Sequence, residues 1–211
     1  MLEVLKKDCT FECPIDAETA KLRVQLGWDE KEQSLKERIK GRMEAAAMGA
    51  SSKTFDLNLA AILEFNDGTK PELVFHRSAS GCGEDEAGTV LLSNDDRTGF
   101  GKGSDETIEI HLADVPFNVE RIVLFMNIGS ANMFGQHLAD VDGVFAQIEN
   151  ADTCAVLMRE EDAFKSEEAK EYCAYAFAQV CREEKGWVLR GLSRYSCEDC
   201  EHDTLKAFME D

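Results

Sequence analysis

The sequence is poor in proline, histidine and basic residues, and it has no long apolar run. It contains 3 prolines and 4 histidines, and 23 lysines and arginines stand against 42 aspartates and glutamates, so the formal net charge is −19 at pH 7. A membrane-spanning helix needs about 20 apolar residues in succession, so we do not expect direct membrane insertion. The negative charge argues against nucleic acid and anionic membrane surfaces, because both repel an acidic protein. Cations and basic partners remain as plausible ligands.

The sequence also lacks the short motifs of common catalytic sites. It has no Gly-x-Ser-x-Gly elbow, no phosphate-binding loop and no His-Glu-x-x-His, which gives little support to a hydrolase. His76, His111 and His137 are isolated in or beside predicted strands, where a lone histidine is more often structural than catalytic. The first residues show neither the apolar core nor the cleavage pattern of a signal peptide. We therefore expect a cytoplasmic protein whose 8 cysteines are reduced.

Short runs in which apolar and polar residues alternate predict an all-β fold. Alternation with a period of two, bounded by turn residues, is typical of half-buried strands. One run, 121–128, is almost entirely apolar and suits a strand that is buried on both faces. Many short strands with few helices indicate a sandwich or a barrel. The predicted strands lie at 22–26, 57–65, 90–92, 108–112, 121–128, 144–148 and 154–158.

Two segments break the strand pattern. Residues 29–49 predict an inserted helix, because Ser34 and Glu37 form a capping box and an apolar stripe at helical spacing follows them. Residues 166–184 are ambiguous from periodicity alone. Ser166 could open an alanine-rich helix, but the aromatic residues of this segment also alternate with alanines, as they would in a strand.

The segment from Ser93 to Glu106 has the composition of a cation-binding loop. Four carboxylates and three glycines lie within it, between two predicted strands. Glycine allows the backbone to curl tightly, and carboxylates on a tight loop converge their oxygens, as a hard cation requires. An acidic surface turn is the alternative interpretation of the same residues.

Several segments carry a resemblance to a known family when they are taken in order. They are Val-Gln-Leu-Gly-Trp-Asp at 24–29, Phe-Asp-Leu-Asn-Leu-Ala at 55–60, Asp-Asp-Arg-Thr-Gly-Phe-Gly-Lys-Gly-Ser-Asp-Glu at 95–106, Leu-Ala-Asp-Val-Pro at 112–116 with Val-Glu-Arg-Ile-Val at 119–123, Phe134 with Gly143 and Phe145, and Gly186-Trp187 with Arg190-Gly191. Together they resemble the TerD family of tellurite-resistance and stress-response proteins. The signature loop at 95–106 is the most specific of these segments.

The resemblance implies a β-sandwich of two sheets with acidic, calcium-binding loops at one end. It implies no catalytic activity, so we expect a non-enzymatic stress-response protein that acts through contacts with other proteins of the stress response. It favours a β-hairpin over residues 174–192. The chain then divides into one TerD-like domain at 1–195, with the helical insertion at 30–50, and an acidic tail at 196–211.

Departures from the family pattern all fall on the expected calcium ligands. Asn58, Phe100, Lys102 and Ser104 stand where the family has acids, and Gly129-Ser130 replace a His-Asp pair. Calcium takes about 6–8 oxygen ligands, and its affinity follows their charge, so we expect weak or single-site calcium binding. If the Lys102 ammonium points into the loop, its positive charge would oppose even weak calcium binding. The candidate metal ligands are Asp56, Asn58, Asp95, Asp96, Thr98, Ser104, Asp105 and Glu106.

The cysteines near the two termini form the alternative site. Cys197, Cys200 and His202 have zinc-type spacing, and Cys9 and Cys13 would complete a zinc or dithiol site if the termini meet. Under this alternative the protein is a zinc- or thiol-based structural or redox protein, and the calcium site is lost. We favour a charged, partly disordered tail that carries incidental thiols.

Overall fold

Two antiparallel sheets form most of the protein. The computed structural model describes residues 5–7, 11–29, 43, 55–76, 82–100 and 103–209. Strands make up 48% of the structure, and few helices accompany them. The predicted all-β sandwich of two sheets is therefore confirmed. The predicted helix at 30–49 lies outside the described residues, except for Met43, which is helical and exposed.

Each sheet combines strands that are distant in sequence. The first has the order β1-β13-β12-β9-β4-β5, and β2 also pairs with β13; the second has the order β11-β10-β3-β8-β7-β6. The strands are β1 Leu5–Lys7, β2 Glu12–Pro14, β3 Lys21–Asp29, β4 Leu57–Phe65, β5 Glu72–Val74, β6 Gly83–Glu84, β7 Val90–Leu92, β8 Glu106–His111, β9 Val119–Ile128, β10 Asp142–Asn150, β11 Val156–Glu160, β12 Ala174–Glu183 and β13 Gly186–Ser196.

The described helices are short. The α-helices are Ala131–Phe134 and Glu201–Met209, and the 3-10 helices are Leu138–Asp140, Asp162–Lys165 and Glu168–Lys170. No helix among the described residues has the length and apolar character needed to cross a membrane.

The main core lies between the sheets and follows the period of two in the sequence. Successive side chains of a strand point to opposite faces. Leu22, Val24 and Leu26 of β3 are therefore all buried, and they share one apolar cluster with Leu57 and Leu59 of β4. This cluster is the contact between the two sheets.

Strand β9 is buried on both faces, as its apolar sequence predicts. Leu124 and Met126 belong to the core between the sheets. Val123 and Phe125 belong to a second cluster on the outer face of the first sheet, together with Phe208 of the C-terminal helix. A third layer therefore covers part of the first sheet.

Strands β12 and β13 form the hairpin that the family resemblance favours, and residues 174–183 are strand rather than helix. They pair antiparallel from Ala174↔Ser196 to Glu183↔Gly186. Tyr175 and Phe177 point into the core between the sheets, whereas Ala174 and Ala176 lie in the outer cluster. The alternation therefore separates aromatic residues for the core from small residues beneath the C-terminal helix.

The expectation of a partly disordered tail is wrong for residues 201–209, which form the C-terminal helix. Phe208 is 1% exposed, and its ring meets that of Phe125 edge-on at a centroid distance of 5.7 Å. Arg194 of β13 donates a hydrogen bond to the carbonyl of Phe208 at 3.1 Å. The spacing of Leu205, Phe208 and Met209 gives the helix one apolar face, which packs on the sheet.

This packing predicts a large loss of stability in Phe208→Ala. Truncating a buried phenylalanine removes its transfer free energy and leaves a cavity, so we expect the free energy of unfolding to fall by about 3 kcal/mol. Urea unfolding measures the change. Lys206→Ala is the matched control, because Lys206 is exposed on the same helix, and it should change stability by less than about 0.5 kcal/mol. Equal midpoints for Phe208→Ala and the wild type would show that the helix does not pack on the sheet.

Candidate cation site

Buried polar side chains from both sheets meet at one end of the sandwich. Glu106 is the first residue of β8, and the alternation that buries Ile108 and Ile110 also turns Glu106 inward. Asp95 lies in the loop after β7, and His76 follows β5. Strand register and loop position thus bring acidic and imidazole groups to one point.

Three of these side chains approach one another closely. His76 Nδ1 lies 3.6 Å from Glu106 Oε1 and 4.0 Å from Asp95 Oδ1. One ligand atom from each of the three lies within 4.8 Å of the others. The side chains are 6% exposed for His76, 4% for Asp95 and 0% for Glu106. The cluster is therefore almost fully removed from solvent.

Each of the three side chains uses its second polar atom in a hydrogen bond. Glu106 Oε2 accepts a bond from the Leu59 backbone N–H at 2.7 Å. Asp95 Oδ2 accepts one from Arg97 Nε at 2.9 Å.

His76 Nε2 lies 2.9 Å from the carbonyl oxygen of Ser93. A carbonyl only accepts, so Nε2 carries the proton and donates. The inward atoms, His76 Nδ1, Asp95 Oδ1 and Glu106 Oε1, are buried and have no hydrogen-bond partner among the described residues.

Asp56 adds a further carboxylate to this environment. Its Oδ1 is buried and likewise has no hydrogen-bond partner in the part of the chain that the structure describes. Burial, together with the charge of Asp95, raises the pKa of Asp56 to about 6. Burial raises the pKa of Glu106 to about 9, and the negative charges of Asp95 and Asp56 raise it further. The hydrogen bond from the Leu59 N–H lowers the pKa, but by less than burial raises it. The site therefore places carboxylates where ionisation is unfavourable unless positive charge accompanies them.

Asp96 and Thr98 shape the loop. Asp96 Oδ1 accepts bonds from the Thr98 N–H at 2.8 Å, the Thr98 hydroxyl at 3.0 Å and the Gly99 N–H at 3.1 Å. Gly99 has a φ of 59°, and a Cβ there would overlap the Trp28 indole, so this turn requires glycine.

The other predicted ligands also have local partners. Asp105 Oδ2 accepts the Trp28 N–H at 2.9 Å. The Ser104 hydroxyl accepts a bond from Gln25 at 3.5 Å, and the Asn58 amide donates to the Asp56 carbonyl at 3.5 Å. Of the predicted ligands, the structure therefore brings Asp95 and Glu106 to one point, and Asp56 lies near enough to interact electrostatically with both. Lys102 lies outside the described residues.

The described cysteines do not form a comparable cluster. Within the described part of the chain, no cysteine joins a group of three or more metal-ligating side chains. Cys200 donates to Asp203, and the His202 ring packs against Phe75 at 4.9 Å. Cys13 is partly buried beside β13, where it pairs with Leu189, and Cys9 lies outside the described residues.

His76 is the site residue that sequence reasoning missed. It stands alone in the sequence, 19 positions before Asp95 and without a second histidine nearby. The neighbouring Phe75 and Val74 give it the context of a strand end, which suits a structural role. Its position becomes informative only when β5 and β7 are placed at the same end of the two sheets.

Comparisons with known proteins agree with the fold and the signature loop. The TerD domain family model matches residues 3–198. The chain is 26% identical over 174 residues to tellurium resistance protein TerD of Serratia marcescens, which covers 81% of this chain and 78% of that protein. It is 27% identical over 201 residues to tellurium resistance protein TerX of the same organism, covering 88% of this chain and 89% of the relative.

A solved structure shows the same fold. It belongs to a homologue of the telluride resistance protein TerD from Streptomyces coelicolor A3(2) and superposes with a TM-score of 0.63 at 18% identity, covering 90% of this chain and 95% of that one. The family match extends over nearly the whole sequence and includes every side chain of the buried cluster. The chain belongs to the TerD domain family.

Proposed function

We propose that the protein is a non-enzymatic stress-resistance protein that binds one divalent cation between its two sheets. The observation that carries this proposal is the convergence of buried, unpartnered acceptor atoms at Asp95 and Glu106, with Asp56 close enough to raise the pKa of Glu106. Buried charges are normally paired or coordinate a metal. A divalent cation at this point would compensate the carboxylates.

The proposed biological role rests on the relatives. Both relatives described above carry the name tellurium resistance protein. We infer resistance to tellurite or related chemical stress, in the cytoplasm, through contacts with other proteins. The net charge of −19 favours basic partner surfaces over nucleic acid.

The number of free ligand atoms supports one ion rather than two. Calcium takes about 6–8 oxygens. In the described part of the chain, the buried carboxylate oxygens at this end that have no hydrogen-bond partner belong to Asp56, Asp95 and Glu106. One oxygen of Asp96 and one of Asp105 accept backbone hydrogen bonds that hold the loop, and among the described residues neither aspartate has a buried oxygen without a partner. Water would have to supply the remaining ligands, so we expect calcium to bind weakly, with a Kd of about 10⁻⁴–10⁻³ M.

The zinc or thiol alternative at the termini receives less support from the geometry. Burial raises the pKa of Cys197, and the nearby charge of Glu198 adds to it; burial also raises the pKa of Cys200. The thiolate is the reactive form and the metal ligand, so a raised pKa disfavours both roles.

The single-site proposal predicts that a divalent cation stabilises the full chain through Glu106. Calcium, manganese and zinc are each added to chelator-treated protein, and binding is measured by calorimetry and by the melting temperature. We expect one equivalent to bind, and Glu106→Gln to weaken it by at least about tenfold, because a charged ligand is lost. Glu109→Gln is the matched control on the outer face of the same strand, and it should bind like the wild type.

Two results would contradict the single-site proposal. One is that none of the three ions binds at millimolar concentration. The other is that two equivalents bind with equal affinity and Glu106→Gln has no effect on either.

The structure also predicts which thiols react. Burial raises the pKa of Cys173 to about 12, and Cys181 is buried too, whereas Cys82 and Cys154 are exposed. Iodoacetamide at neutral pH should therefore modify Cys82 and Cys154 and leave Cys173 and Cys181 unmodified until the protein unfolds. Peptide mass spectrometry measures the modification at each site. Rapid labelling of Cys173 in the folded protein would contradict the burial of this thiol.

A further inference from the structure

We propose that the ion at this site is a first-row divalent transition ion of the zinc or manganese class, bound through His76 Nδ1 together with Asp95 Oδ1 and Glu106 Oε1. This inference rests on the cation site proposed above and identifies the ion and its nitrogen ligand. It differs from the family expectation of calcium, because the ligand set contains an imidazole.

The ring of His76 has the orientation of a metal-ligating histidine. Its Nε2 donates to the Ser93 carbonyl at 2.9 Å, which leaves the Nδ1 lone pair inward when the ring is neutral. That lone pair then faces carboxylate oxygens at 3.6 and 4.0 Å with no hydrogen atom between them. Metal-ligating histidines almost always donate the other ring N–H to a carbonyl, carboxylate or water. His76 shows this arrangement.

Hydrogen bonds within the protein hold all three ligand side chains in place. Each of the three side chains is held by one polar atom and points the other at the same place: His76 by the Ser93 carbonyl, Asp95 by Arg97 and Glu106 by the Leu59 N–H. Such outer hydrogen bonds orient metal ligands and fix their protonation state. The ligands are therefore pre-oriented by both sheets and by the loop.

The combination of one imidazole nitrogen with carboxylate oxygens suits a transition ion better than calcium. Calcium takes oxygen ligands, whereas imidazole suits zinc, copper, iron and nickel, and carboxylate suits manganese. Zinc binds nitrogen and carboxylate oxygen at about 2.0–2.2 Å, so two ligands at a tetrahedral angle lie about 3.4 Å apart. The observed distances of 3.6 and 4.0 Å need only a small contraction to reach that value. Asp56 lies outside this three-residue group and contributes negative charge near Asp95 and Glu106.

A protonated His76 is the competing explanation of the same geometry. An imidazolium would donate from Nδ1 toward the two carboxylates and would itself compensate their charge. In that case the ring takes the place of a metal ion, and zinc would not displace its proton. The experiment must therefore separate a bound metal from a bound proton at Nδ1.

Calorimetric titration of the chelator-treated full chain with Zn²⁺ and with Ca²⁺ distinguishes a metal ion at Nδ1 from a proton. Cys197→Ser/Cys200→Ser serves as the background, so that the tail thiols do not bind zinc. We expect zinc to bind at one equivalent and at least about 100-fold more tightly than calcium. His76→Gln should weaken zinc binding by at least about tenfold and change calcium binding by less than about threefold. His137→Gln, at a partly exposed histidine, is the matched control and should bind zinc like the background.

A second measurement does not depend on a variant that must fold. Long-range ¹H–¹⁵N NMR of the histidine rings in the wild-type chain reports the state of each ring nitrogen. Zinc should shift Nδ1 of His76 and leave Nε2 protonated. A His76 ring that keeps both protons in the presence of zinc would overturn the inference in favour of the imidazolium.

The remaining outcomes separate this inference from the proposal on which it rests. If His76→Gln leaves zinc affinity unchanged, or calcium binds more tightly than zinc, while Glu106→Gln abolishes binding, the cation site stands and the inference about His76 fails. If neither ion binds to the background protein and neither shifts the His76 nitrogens, both fail.

Discussion

The buried carboxylate of Glu106 is the constraint on which this end of the sandwich depends. Strand register places it on the inner face of β8, on the same side as Ile108 and Ile110. One of its oxygens accepts the Leu59 N–H from β4 in the other sheet, so the carboxylate joins the two layers. The second oxygen faces Asp95 and His76 and accepts no hydrogen bond from the described residues. A carboxyl group in that position keeps its proton unless an imidazolium or a metal ion compensates its charged form.

The family signature divides into two physical roles in this structure. Asp96 and Gly99 form the turn, since the Asp96 carboxylate accepts from the backbone and Gly99 supplies a left-handed conformation against Trp28. Asp95 and Glu106 point inward, and one oxygen of each has no hydrogen-bond partner within the described ranges. A loop motif can therefore persist in sequence because it folds the loop, even where its ability to bind ions has changed. Of the described residues that replace family acids in this loop, Phe100 is exposed, and Ser104 accepts a hydrogen bond from Gln25.

Much of the fold could be predicted from the sequence, because alternation with a period of two records which face of a strand is buried. The strands at 57–65 and 121–128 follow from this pattern alone, and the hairpin at 174–196 needed the family resemblance in addition. The C-terminal helix was missed because its charged residues dominate its composition, although Phe208 completes an apolar face. The predicted ligand set named Asp56, Asp95 and Glu106 but not His76. Contacts between β5 and β7 bring residues from two sheets together, and no local pattern in the sequence encodes such a contact.

The origin of the ligands in both sheets has a consequence for the whole molecule. His76 follows β5 and Asp56 precedes β4 in the first sheet, whereas Asp95 and Glu106 lie at β7 and β8 in the second. Without a cation, burial and the neighbouring charges make ionisation of these carboxylates unfavourable, and the raised pKa values of Glu106 and Asp56 express this. With a cation bound, the same atoms link the two sheets. The replacement of loop acids by neutral and basic residues in this chain lowers the charge that one ion must balance. Under the proposal of a single ion, a few carboxylates and one imidazole would hold it and join the two sheets at this end of the sandwich.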